Sequence, residues 1–158
     1  MDVTIMPSTP SLLPKLRRDF PSLTFTEGDD FLWSPKERTI FFQENDPEYE
    51  ALLLHELSHG LLDHHDYKRD IQLVTMETEA WEQARILSPL YGIRINEDAL
   101  QDHLDTYRDW LHARSTCPRC EATGVQSSKQ QYRCIACHHE WRVNEARVCA
   151  LRRYSVKK

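Results

Sequence analysis

The sequence predicts an α+β fold in which a short antiparallel sheet and three helices form one domain, and a small module with four cysteines follows it. Short apolar stretches bounded by turn residues fill the first quarter of the chain, and longer stretches with helical spacing continue to about residue 111. The chain has 158 residues, of which 40% are hydrophobic and 28% charged, as is typical of globular proteins. This length suffices for one ordinary domain and a small module.

The first elements of the chain are short. A brief helix is expected at about residues 11–18, and three apolar stretches follow it at 23–26, 31–34 and 39–42. The segments Gly28-Asp29-Asp30 and Pro35-Lys36-Glu37-Arg38 separate these stretches and are rich in turn-forming residues. Strands joined at such short intervals commonly form hairpins, so we expect an antiparallel meander.

Three longer helices are expected after these strands. The first should begin near residue 47, because Asp46 can cap free N–H groups, Pro47 fits a first turn and Glu48 suits the positive end of the helix dipole. It should extend to about residue 64. The second covers about residues 67–88 and ends before Pro89, and the third begins after Asn96, which can cap it.

The motif His55-Glu56-Leu57-Ser58-His59 falls within the first of these helices. Its two histidines are about one helical turn apart, so both imidazoles can reach one metal ion from the same face. Glu56 lies beside the first ligand and can act as general base on a water that zinc activates. The motif therefore predicts a catalytic zinc site in a zincin-like metallo-endopeptidase.

A third protein ligand is needed, and the sequence offers three sources. His65 has the spacing of the HExxHxxGxxH pattern, but Leu62 stands where that pattern has glycine. His103 would serve in a SprT-like site, although its helix is expected to be in the core. The third source is a glutamate on the next helix, as in gluzincins. Glu77 and Glu79 lie about 200° apart on a helical wheel, and Glu77 is preferred because it is nearer the apolar stripe.

The stretch from about residue 40 to 90 resembles the ImmA/IrrE-type metallo-endopeptidases. In that family HELxH is followed by a helix of pattern ExEAxxFAxxLLxP; the matching segments are HELSHGLL and Glu77-Thr78-Glu79-Ala80, continued by Ala84, Leu87 and Pro89. The resemblance implies a compact zincin fold, with Glu77 as third ligand and Glu56 as general base. It also implies helix-turn-helix transcriptional repressors as substrates.

Two CxxC pairs near the C-terminus predict a zinc ribbon. Thirteen residues separate the pairs, which are formed by Cys117, Cys120, Cys134 and Cys137. Four thiolates complete a tetrahedral structural zinc site. Gly124 is expected in a hairpin loop, and the small core is expected to contain Tyr132, Trp141 and Val143. His138 and His139 are expected to be exposed, and Cys149 to be a buried small residue.

These motifs predict two domains with one zinc ion each: a metalloprotease domain in residues 1–114 and a ribbon in residues 115–158. Their charges differ, since residues 1–114 hold 11 basic and 22 acidic residues and residues 115–158 hold 9 and 3. The basic residues of the ribbon are Arg119, Lys129, Arg133, Arg142, Arg147, Arg152, Arg153, Lys157 and Lys158. They could meet DNA phosphates or an acidic protein surface, including that of the first domain.

The sequence shows no run of about 18 apolar residues, and its first basic cluster follows a short apolar stretch broken by proline. We therefore expect a cytoplasmic protein without membrane contact. The function expected is zinc-dependent cleavage of a helix-turn-helix regulator. The alternatives are a SprT-like, DNA-associated protease and a non-catalytic nucleic-acid-binding ribbon. Glu56 favours an enzyme, because a structural zinc helix does not need a carboxylate beside its first ligand.

Overall fold

The computed structural model describes residues 11–144 and the backbone of residues 153–155, and it has the predicted α+β class. The described residues form two compact units. The first lies within Met1–His64 and Gln83–Arg94, and the second lies within His65–Glu82 and Ile95–Lys158. The helices are α1 (Leu12–Asp19), α2 (Tyr49–Leu61), α3 (Asp70–Leu87) and α4 (Glu97–Ser115), with a 3₁₀ turn at Ser88–Tyr91. The strands are β1 (Thr24–Glu27), β2 (Leu32–Ser34), β3 (Thr39–Phe42), β4 (Gly124–Ser128), β5 (Gln131–Cys134), β6 (Glu140–Val143) and β7 (Arg153–Ser155).

The sheet of the first unit differs from the expected meander. Its strand order is β1-β3-β2, with β3 antiparallel to β2 and parallel to β1. The meander prediction was therefore wrong. Strand β3 takes the central position because it is the most apolar of the three: Ile40 and Phe42 are buried, whereas three of the four residues of β1 are exposed. The Gly28 N–H continues the parallel pairing by donating to the Phe42 carbonyl over 2.8 Å.

Helix α2 packs against β2 and β3, and its residues Leu53, Leu54 and Leu57 are fully buried. It begins two residues later than expected, since the Asp46 carboxylate accepts the Glu48 N–H in a turn that precedes the helix. It also ends earlier, at Leu61 rather than His64. The His55–His59 segment therefore lies wholly within α2, with His59 in the last turn.

The second unit contains the first part of α3, helix α4 and the cysteine module. Strands β4 to β7 form an antiparallel sheet in sequence order, and the expected core residues Tyr132, Trp141 and Val143 are buried. Gly124, expected in a hairpin loop, instead lies in β4 and pairs with Cys134 of β5. A Cβ at Gly124 would lie 2.4 Å from the Trp141 ring, so glycine is required there by close packing.

A buried network joins α3, α4 and the cysteine module within this second unit. The Asp70 carboxylate, at the start of α3, accepts hydrogen bonds from Arg114 Nε over 2.7 Å and from the Tyr132 hydroxyl over 2.6 Å. The Asp70 N–H donates to the Gln126 side chain over 2.7 Å, and the Trp141 indole donates to the Arg114 carbonyl over 2.9 Å. Helices and ribbon therefore share one polar core in this unit.

No helix among the described residues combines the length and the apolar character that a membrane crossing requires.

Candidate metal centres

The two histidines of α2 face each other with the Nε2 atoms of their rings. His55 Nε2 and His59 Nε2 are 3.2 Å apart, and the side chains are 5% and 8% exposed. This arrangement follows from their spacing of four residues in a regular helix. Two Nε2 atoms at this distance can share one ring proton, or, when both carry lone pairs, they can bind one metal ion.

Glu77 of α3 completes a group of three donors. One ligand atom from each of His55, His59 and Glu77 lies within 4.8 Å of the other two, and Glu77 is 5% exposed. Among the described residues, the other candidates for third ligand lie outside this group. Glu79 and His65 are exposed, and the His103 ring packs 5.6 Å from that of Trp81.

The donor set fits a divalent metal ion such as zinc. Tetrahedral zinc with bonds of about 2.0–2.1 Å to nitrogen places neighbouring donors roughly 3.4 Å apart, close to the 3.2 Å between the two Nε2 atoms. Two imidazoles and one carboxylate are a common ligand set of catalytic zinc and leave a fourth position for substrate or water. These three residues can therefore hold a metal ion. Glu56, next to His55, is half-buried.

Known proteins add no family assignment to this geometry. Comparison with known protein families, curated proteins and solved structures gives no match for this chain. The resemblance to the ImmA/IrrE-type endopeptidases thus remains a prediction from the motif and the helix that follows it.

A third histidine contacts this group and was not expected from the sequence. His64 Nδ1 lies 2.9 Å from Nδ1 of His59, on the side of that ring away from His55. In a helix continued to residue 64, His64 would project about 140° away from His59. The chain instead turns at Asp63, whose φ is 54°. The signal in the sequence is weak, since aspartate only tolerates left-handed backbone better than most residues.

The four cysteines of the ribbon also form a group of metal ligands. Their sulfur atoms all lie within 4.8 Å of one another, with 3.8 Å between Cys117 and Cys137 and 3.4 Å between Cys120 and Cys134. Tetrahedral zinc with Zn–S bonds of about 2.3 Å separates neighbouring sulfurs by roughly 3.8 Å. The cluster therefore fits a closed structural site.

The two CxxC segments have the same local structure. The Glu121 N–H donates to the Cys117 carbonyl over 2.9 Å, and the His138 N–H donates to the Cys134 carbonyl over 3.1 Å. Glu121 and His138 both have left-handed backbone, with φ of 65° and 63°. The Cys137 N–H, 3.4 Å from the Cys134 sulfur, lowers the pKa of that thiol to about 6. This favours the thiolate, the form that binds metals.

Part of the predicted basic surface lies outside the described residues. Arg147, Arg152, Lys157 and Lys158 are not described, nor are Cys149 and the side chain of Arg153. Within residues 115–144 there are four basic and two acidic residues. Four thiolates around a divalent ion add a net charge of about −2, so the described ribbon is close to neutral.

Proposed function

We propose that this chain is a zinc-dependent endopeptidase in which His55, His59 and Glu77 hold the catalytic metal. The observation that carries the proposal is the group of three buried donors, with a half-buried carboxylate, Glu56, directly after the first of them in α2. A purely structural zinc site needs a fourth protein ligand. The described cysteine cluster provides four, whereas this group provides three, which is the number found in catalytic sites.

The residues of the site have different roles in peptide hydrolysis. When bound, zinc supplies Lewis acidity, which polarises the scissile carbonyl and promotes ionisation of water. The two histidines orient their Nε2 atoms from one face of α2, and Glu77 reaches the same point from α3. Glu56 accepts the proton of the attacking water and returns it to the leaving amine.

For the substrate we propose a helix-turn-helix transcriptional regulator, cleaved in the cytoplasm. The support is the resemblance of residues 40–90 to the ImmA/IrrE-type endopeptidases. A weak contact with DNA through the C-terminal basic residues would bring the enzyme to such a regulator. Because the described ribbon is near neutral, that contact depends on basic residues beyond residue 144.

The variant Glu56→Gln tests the enzymatic proposal. It should keep both metal ions and slow cleavage at least about a hundredfold, the usual loss when a general base is removed. Wild-type protein and the variant are expressed in cells, and new protein N-termini are compared by mass spectrometry. Glu79→Gln makes the same change at an exposed position of α3 and serves as the control.

New N-termini should appear with the wild type and with Glu79→Gln, and not with Glu56→Gln. Cleavage by Glu56→Gln at the wild-type rate would refute the proposed role of this carboxylate. A helix-turn-helix protein among the products would support the proposed substrate class.

A further inference from the structure

The contact between His59 and His64 constrains where the ring protons lie. A neutral imidazole carries a proton on one nitrogen and a lone pair on the other. If His59 binds metal through Nε2, its Nδ1 must carry the proton and donate it. The only acceptor that His64 offers in the 2.9 Å contact is its own Nδ1, so the His64 proton is on Nε2.

The backbone holds His64 in place on both sides. Its N–H donates to the His59 carbonyl over 2.9 Å, closing the end of α2, and its carbonyl accepts the Trp33 indole N–H over 2.8 Å. The Trp33 ring also covers Gly60, where an added Cβ would lie 3.1 Å from it. Strand β2 and the end of α2 together position the His64 ring against His59.

We propose that His64 is a positioning residue: it fixes the tautomer and ring orientation in which His59 presents Nε2 to the metal. The inference rests on the metal site of the proposed function and does not require proteolysis. His64 acts through His59, since the described group of ligand atoms contains His55, His59 and Glu77. Mutation of a residue that hydrogen-bonds to a metal-binding histidine typically lowers metal affinity by about 10–100-fold.

Zinc affinity of the full-length protein tests this role. The zinc-loaded chain is titrated with a chelator, and release of the more labile zinc is followed with a zinc-sensitive dye. His64→Leu removes the acceptor and should weaken binding by roughly 10–100-fold. His64→Asn places an amide oxygen near the position of Nδ1 and should restore affinity to within about threefold of wild type. His65→Leu, an adjacent exposed histidine, is the control and should bind as the wild type does.

The tautomer of His59 gives a second readout that does not depend on bound metal. Long-range ¹⁵N–¹H spectra at pH 8, recorded with the labile site empty and the ribbon zinc in place, report which ring nitrogen carries the proton. His59 should be protonated on Nδ1 in the wild type and in His64→Asn, and should populate both tautomers in His64→Leu. Backbone amide shifts of α2 and of strands β1 to β3 that match those of the wild type show that the unit containing His64 is folded in each variant.

Unchanged zinc affinity in His64→Leu, equal loss in His64→Asn, or a wild-type His59 protonated on Nε2 would overturn the proposal. If the wild type binds zinc tightly at the site of His55, His59 and Glu77 but cleaves no protein, the proposed protease activity is refuted and the role of His64 stands. A wild type that binds only the ribbon zinc would overturn both.

Discussion

Burial decides which acidic residue of α3 can serve the metal site. Glu77 is 5% exposed and lies with the two histidines, whereas Glu79, two residues later, is exposed. A carboxylate in such a buried position needs a compensating positive charge or hydrogen bonds, because desolvation disfavours its ionised form. A metal ion would supply that charge to Glu77.

Replacement of each glutamate by alanine should therefore have unequal effects. Glu77→Ala should weaken the labile zinc by more than the roughly 10–100-fold that loss of an outer partner produces, and Glu79→Ala should leave it unchanged. Isothermal titration with zinc measures both. The opposite ranking would move the third ligand to Glu79.

At this scale the sequence predicts the candidate ligands but not the residue that supports them. His55, His59 and the cysteine pairs follow from their spacing, and Glu77 is preferred because it lies nearer the apolar stripe of its helix than Glu79 does. His64 does not follow from spacing, because its position depends on where α2 ends and on a left-handed residue at Asp63. Helix ends depend on tertiary packing, which local patterns do not specify.

Among the elements, the start of α3 depends on the ribbon. Asp70 and Arg114 are 1% and 2% exposed, and Tyr132 donates to the same carboxylate oxygen as Arg114. Burial, together with this hydrogen bond, raises the pKa of Tyr132 above its ordinary value. Ion pairs in such positions are costly to break, since the remaining partner is left buried and charged.

Variants of this network should lower the free energy of unfolding in a defined order. Tyr132→Phe should cost about 1.5–3 kcal/mol, the usual contribution of a hydrogen bond to a charged group, and Arg114→Met about 3–5 kcal/mol. Arg108→Ala, which breaks an exposed pair with Asp105, should cost less than about 1 kcal/mol. Urea unfolding gives these values. If Arg114→Met were no worse than Arg108→Ala, the buried pair would not stabilise the unit.

The positions of the strands follow from the local sequence, whereas their order in the sheet does not. Alternating apolar stretches located β1, β2 and β3 correctly to within about one residue. The order of the strands was wrong, because hairpin expectations consider only neighbours along the chain. Burial of the most apolar strand, β3, between the other two decided the order.

At the scale of the whole chain, the division into two compact units does not coincide with the boundary that the CxxC pairs suggest. The unit that contains the ribbon also contains α4 and residues 65–82, which include Glu77. The boundary predicted between residues 114 and 115 remains a prediction, drawn from a motif that indicates a ligand set. Such a motif gives no information on what the ribbon packs against.

A chain that ends at residue 114 tests whether the ribbon is a separate module. The truncation removes Tyr132 and Gln126, the partners of Asp70, and exposes the buried Arg114. We expect the truncated chain to lose cooperative unfolding and, because Glu77 lies in the affected unit, the labile zinc as well. Metal analysis should therefore give two zinc ions for the full chain and none for the truncated one. If the truncated chain keeps one zinc and a sharp unfolding transition, residues 1–114 fold alone, and the ribbon is an appended domain available for binding DNA or a regulator.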